Sequence, residues 1–172
     1  GPETDEGSFV VGANQPVGFD HIESTSVSGA GPVVINGTNG PDTITVIARD
    51  ATTHAGTNGI QDFTVSINTG PEMLFINVAS LAVNALSGSD QVTLQTPAPN
   101  GAIWDVDVTI DGGPPASDTD RLIVQTPATG AETALYTPTG ANAGTLDLTS
   151  LSSLVTIVDT EALNYIGQTD ND

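Results

Sequence analysis

The chain contains neither cysteine nor lysine. Without cysteine no disulfide can staple the fold, and cysteine usage gives no reading of redox compartment. Without lysine, no Lys–Asn isopeptide cross-link can form. Arg49 and Arg121 are the only strong cations, against 21 acids, and the net charge is −19. A surface of that sign repels nucleic acid and anionic membranes, so neither is an expected partner. No apolar run reaches the 18 residues of a membrane helix, and no signal-peptide pattern is present. Aromatics are scarce, and no stretch sustains the 3.6-residue periodicity of an amphipathic helix.

Catalytic constellations are missing as well. There is no cysteine nucleophile, no Gly-x-Ser-x-Gly elbow and no His-x-x-His spacing. His21 reads as decoration on a strand, and His54 as a solvated loop residue. Arg121 follows Asp120 and reads as its ion-pair partner rather than as the base of a β-helical lyase. Among 21 acids some pair lies close by chance, which is weak ground for glycoside hydrolysis. The expectation is that the chain is not an enzyme.

What remains is rich in Thr, Val, Gly, Asn, Asp and Pro, the composition of short strands and many turns. Alternating apolar residues bounded by turn signals predict strands at 8–11, 23–27, 33–36, 43–48, 62–68, 73–77, 80–86, 91–96, 102–111, 121–126, 133–137, 145–148, 155–159 and 162–166. The stretch 49–61 reads as a protruding loop.

One phrase recurs: Gly, a short spacer, Asp, then alternating β-branched residues. It is Gly37-Thr38-Asn39-Gly40-Pro41-Asp42-Thr43-Ile44-Thr45-Val46, and again Gly88-Ser89-Asp90-Gln91-Val92-Thr93-Leu94. A third copy is Asp118-Thr119-Asp120-Arg121-Leu122-Ile123-Val124, after Gly112-Gly113, and a fourth starts at Gly167 and runs to Asp170-Asn171-Asp172. The segments from Asp90 and from Asp120 align residue by residue through Gln95-Thr96-Pro97-Ala98 and Gln125-Thr126-Pro127-Ala128. An apolar marker begins at Phe19, Phe75 and Ile157, and by this alignment Asp172 follows Ile157 as Asp90 follows Phe75.

A strand–turn–strand unit that cannot bury its own apolar face stacks on its copies. The expected fold is therefore all-β, a right-handed parallel β-helix (a β-solenoid) of about three to four coils, with the Asp turns aligned along one corner. The irregular spacing of the turns keeps an antiparallel β-sandwich as the alternative. Gly1-Pro2 reads as a protease-cleavage remnant, and residues 3–172 as one repeat-built domain, a fragment of a longer chain.

Asp and Asn at turns are hard oxygen ligands, and calcium takes six to eight oxygens at about 2.3–2.6 Å. The candidate ligands are Asp42, Asp90, Asp118, Asp120 and Asp170, with Asn39 and Asn171 as amide oxygens. The competing reading of these acids is an Asx turn or cap that needs no metal. Asp105, Asp107 and Asp111 share one strand face, and read as a solvated side opposite Trp104, Val106, Val108 and Ile110.

The Gly/Asp turns at 37–46, 88–94 and 112–124 resemble those of RTX-like, haemolysin-type calcium-binding repeats in large secreted bacterial proteins. The resemblance implies calcium as cofactor, an extracellular or cell-surface bacterial location, and a structural or adhesive task beside neighbouring domains of a parent chain. RTX repeats are tandem nonapeptides, whereas here whole strand pairs separate the turns. The alternative function is a carbohydrate-binding module with a polysaccharide or cell-surface partner. Phe19, Phe63 and Phe75 read as core, and Trp104, Tyr136 and Tyr165 are the candidates to stack on sugar rings.

Overall fold

The computed structural model describes residues 7–11, 15–19, 24–29, 31–49, 61–96, 103–115, 117–126 and 132–167. Among these are fifteen strands and no helix: β1 (Gly7–Val11), β2 (Val17–Phe19), β3 (Ser24–Ser28), β4 (Val33–Asn36), β5 (Thr43–Arg49), β6 (Asp62–Ile67), β7 (Glu72–Ile76), β8 (Ser80–Asn84), β9 (Gln91–Gln95), β10 (Asp107–Asp111), β11 (Arg121–Gln125), β12 (Ala134–Gly140), β13 (Ala143–Leu148), β14 (Val155–Val158) and β15 (Ala162–Ile166). Many of the strands arise where buried and outward-facing residues alternate. In β5, β10 and β11 every second side chain is buried and its neighbours face outward.

The strands form two mixed sheets, ordered β12-β13-β14-β10-β8-β4-β1-β2 and β15-β11-β9-β5-β6-β7-β3. Four strand–turn–strand units, β4–β5, β8–β9, β10–β11 and β14–β15, each put their first strand in the eight-stranded sheet and their second in the other. Equivalent strands pair in parallel and in register. One column runs Ile35, Val83, Ile110, Ile157. Another runs Ile44, Val92, Leu122, Leu163. These columns belong to one apolar core, and each fully buried Val, Leu or Ile contributes about 1.5–3 kcal/mol.

Two hairpins interrupt the units. β6 pairs antiparallel with β5, and β7 with β6. β12 pairs antiparallel with β13, and β13 with β14. The expected right-handed β-helix is therefore corrected to two mixed sheets in a sandwich-like arrangement. The hairpins turn back within their own sheet, which strands that only wind round a core do not do. The two-layer arrangement fits the sandwich alternative, although β14-β10-β8-β4 in one sheet and β15-β11-β9-β5 in the other pair in parallel.

The hairpins also account for the irregular spacing: β6–β7 lies between the turns at Asp42 and Asp90, whereas among the described residues no hairpin lies between the turns at Asp90 and Asp120. The apolar marker is corrected as well. Phe75 lies in the seven-stranded sheet and Ile157 in the eight-stranded one, so the two are not equivalent.

Phe63 in β6 stacks on Phe75 in β7 at 5.1 Å and meets the Trp104 ring edge-on at 5.7 Å. The Trp104 indole N–H donates to the Asp62 carbonyl at 3.1 Å, which satisfies its polar atom inside the core. Val106, Val108 and Ile110 are buried with it, while Asp105, Asp107 and Asp111 lie on the other face.

Candidate functional site

Asp42, Asp90, Asp120 and Glu161 stand immediately before β5, β9, β11 and β15. One position later, Thr43 pairs with Gln91, Gln91 with Arg121 and Arg121 with Ala162. That register stacks the four acids along one edge. Asp90 Oδ1 accepts the Asp42 backbone N–H at 2.7 Å. Asp120 Oδ1 accepts the Asp90 N–H at 2.8 Å, and Glu161 Oε2 accepts the Asp120 N–H at 2.8 Å. Alongside, the N–H groups of Gln91, Arg121 and Ala162 donate to the carbonyls of Asp42, Asp90 and Asp120 at 2.8–3.0 Å. Each join between units is thus double, one backbone bond and one carboxylate bond, always directed the same way. Hydrogen bonds to an ionised group contribute about 1.5–3 kcal/mol each before the cost of burying the charge.

The turn before each strand stacks too. Gly88 donates its N–H to Asp118 Oδ2 at 3.1 Å, and Thr119 donates to Ser89 Oγ at 3.2 Å. Ser87 Oγ donates to Asn39 Oδ1 at 3.4 Å. Gly88 has φ +143°, and a Cβ there would sit 2.7 Å from the Gly40 carbonyl carbon. Glycine is what lets adjacent turns approach this closely.

The ladder is closed at its first acid. Asn68, at φ +54°, donates its Nδ2–H to Asp42 Oδ1 at 2.7 Å and accepts the Thr43 N–H at 2.8 Å. Thr38 donates its N–H and its hydroxyl to Asp42 Oδ2 at 2.6 and 3.0 Å. At the last acid, Asn142 Nδ2 donates to Glu161 Oε1 at 2.6 Å. Asp90 differs: it is as buried as Asp42 and Asp120, but its Oδ2 has no donor among the described residues.

Burial pushes the Asp90 carboxyl above the usual carboxylate range. The Asp42 N–H pulls it back, and the charges of Asp42 and Asp118 add to the rise. Burial raises Asp120 in the same way, opposed by the Asp90 N–H and reinforced by Asp90, Glu161 and Asp118.

Of the expected calcium ligands, Asp42, Asp90 and Asp120 come together in the ladder, Asp118 and Asn39 stack in the turns, and Asp170 lies outside the described residues, as do Asn171, His21, His54 and residues 50–60. Among the described residues no group of three or more His, Asp or Glu side chains is arranged to hold a metal. Most ladder oxygens already accept N–H donors, which is the capping role that competed with calcium at these turns.

Glu161 is the ladder member that the repeated phrase does not reveal. It carries an extra methylene, and no Gly-x-Asp precedes it. Its only signal is an acid directly before an alternating strand. Arg121 is exposed while Asp120 is buried, and no ion pair joins them among the described residues. Adjacent residues of a strand point to opposite faces, so the expected pairing is corrected. Arg49 instead pairs with Glu72 across β5 and β7.

Trp104 is corrected as a sugar platform, because it is fully buried and presents no open face. Tyr136 is 42 % and Tyr165 40 % exposed, but they lie in different sheets. The Tyr136 hydroxyl donates to the Ala143 carbonyl, and that of Tyr165 lies 3.2 Å from Thr126 Oγ1. No family model matches the chain, and neither a curated protein nor a solved structure matches it.

Proposed function

We propose that the chain is a non-catalytic structural or adhesive β-repeat module of a larger secreted or cell-surface bacterial protein, with calcium as an auxiliary ligand of its acidic turns. The observation that carries this reading is the ladder itself. Buried carboxylates that an acid–base enzyme would turn toward a substrate are here bonded to backbone N–H groups of the next strand.

Calcium is supported by the charge of −19 and by the neighbouring carboxylates whose charge adds to the rise that burial causes at Asp90 and Asp120. It would draw on the unpartnered Asp90 Oδ2 and on Asp118 and Asn39, each of which accepts a hydrogen bond from the neighbouring turn, and complete its shell with water. Such a site is weak and contributes on the order of 1–2 kcal/mol at millimolar calcium by linkage.

Thermal melting tests it. Millimolar calcium after chelation raises the midpoint by a few degrees at matched ionic strength, and Asp90→Asn reduces that rise. An unchanged midpoint removes calcium from the proposal. Turnover on a polysaccharide removes its non-catalytic part. The carbohydrate-binding alternative is not favoured, since its three aromatics do not share a surface.

A further inference from the structure

The carboxylate ladder is directional, and its two ends differ. At Asp42 the side-chain amide of Asn68 supplies the N–H that a preceding unit would supply. At the other end Glu161 has given its carboxylate to Asp120 and Asn142, and its own N–H has no acceptor among the described residues. In every earlier unit that same N–H is bonded to the acid of the next unit.

β15 extends the opening. The Ala162 N–H donates to the Asp120 carbonyl, and the Ile166 carbonyl accepts the Thr126 N–H, so these residues face β11. By the two-residue alternation of a strand, Glu161, Leu163 and Tyr165 turn their N–H and carbonyl groups to the outer edge of the sheet, which is free among the described residues. Side chains continue the columns: Leu163 lies beside Leu122, Tyr165 beside Val124, and Ile166 is half exposed.

β15 also lacks the devices that protect an edge. It carries no charge and no proline, whereas the edge strand β12 contains Pro138 and a register shift. In the opposite sheet, β13 covers β14. This end can therefore accept one strand, not a strand pair.

We propose that the free edge of β15 is a docking site for one further parallel strand of the same repeat chemistry, supplied by a neighbouring segment of the parent polypeptide, whose preceding acid accepts the Glu161 N–H. The inference rests on the module reading above and extends it to the contact by which the module joins its neighbour.

The test titrates a synthetic peptide of residues 88–96, Gly-Ser-Asp-Gln-Val-Thr-Leu-Gln-Thr, into the chain and follows backbone amide resonances. Saturable shifts confined to Glu161–Ile166 and their β11 partners are expected. Replacing the peptide's aspartate by alanine weakens binding about tenfold, as loss of a charge-assisted hydrogen bond requires. Tyr165→Pro removes an N–H from the free edge without touching a backbone bond to β11, and abolishes binding while the melting point stays within a few degrees of that of Tyr165→Phe, which loses the same hydroxyl contact with Thr126 but still binds.

If Tyr165→Pro does not fold, the alanine peptide still decides. No shifts at millimolar peptide, shifts elsewhere, or binding indifferent to the aspartate overturns the proposal. So does concentration-dependent pairing of β15 with β15 of a second copy. None of these outcomes alters the calcium and melting results, which test the module reading separately.

Discussion

The two inserted hairpins share a polar device and differ in how much of each enters the core. β6–β7 is built into the core: Asp62 to Val65 are all buried, and Phe63 packs between Phe75 and Trp104. β12 is exposed along its whole length, with Leu135 at 59 %, and only its partner β13 reaches the core, through Leu146 and Leu148. Yet each insertion delivers an asparagine at positive φ, Asn68 at 54° and Asn142 at 53°, whose Nδ2 donates to a ladder acid. Asparagine tolerates this backbone region better than most residues and brings its own donor. Both strands of β6–β7 thus enter the core, whereas only β13 of the second hairpin does, and holding the carboxylate it adjoins is common to both insertions.

The comparison breaks most visibly at the core. Phe63→Ala is expected to cost about 3–5 kcal/mol in denaturant unfolding, through lost transfer energy and the cavity left against Phe75 and Trp104. Leu135→Ala in β12 should change stability by no more than about 0.5 kcal/mol. A similar loss at both positions would mean that the hairpins are not energetically distinct.

The asparagines sharpen it. Asn68→Ala removes a donor to buried Asp42 and the acceptor for Thr43, and is expected to cost about 2 kcal/mol. Asn142→Ala removes a donor to the partly exposed Glu161 and should cost about 1 kcal/mol. Asn→Gly at either site separates backbone strain from the lost hydrogen bond, since glycine keeps the positive φ and lacks the amide.

The smallest effect is a pH dependence. Asp90 and Asp120 are raised in the folded chain above the ordinary value of 3.8. Between 3.8 and the raised values the folded chain holds protons that the unfolded chain has released. Their contribution to stability is full below 3.8 and is lost as pH rises through the folded values. Asp90→Asn should therefore flatten the gain in stability that acidification brings over that window, measured as unfolding midpoint against pH. Identical profiles for the two proteins would show that Asp90 does not titrate differently on folding.

Much of the local structure was legible. Alternation located β4 and β15 to the residue and most other strands to within a position or two, because a half-buried strand writes its period into its side chains. β2 was missed, since three residues carry too little pattern. The pairing of β9 with β11 was visible as two matching segments, because strands in register against one core need the same side chains at the same places. The hairpins were not legible as insertions: β6 alternates as the repeat strands do, and only its antiparallel pairing sets it apart. Glu161 escaped for a related reason, since the ladder selects a carboxylate at a position in space and a glutamate reaches it as well as an aspartate.

The amino-acid sequence by itself determined an all-β chain, its strand positions, the acids set at turns and the excess of negative charge, because each follows from nearest-neighbour geometry and composition. Only the tertiary structure decided which strands lie side by side, that Trp104 is core, and that the turn acids bond backbone N–H groups across units. Those outcomes depend on contacts between residues 48, 30 and 41 positions apart, where register, not local preference, determines what each side chain meets.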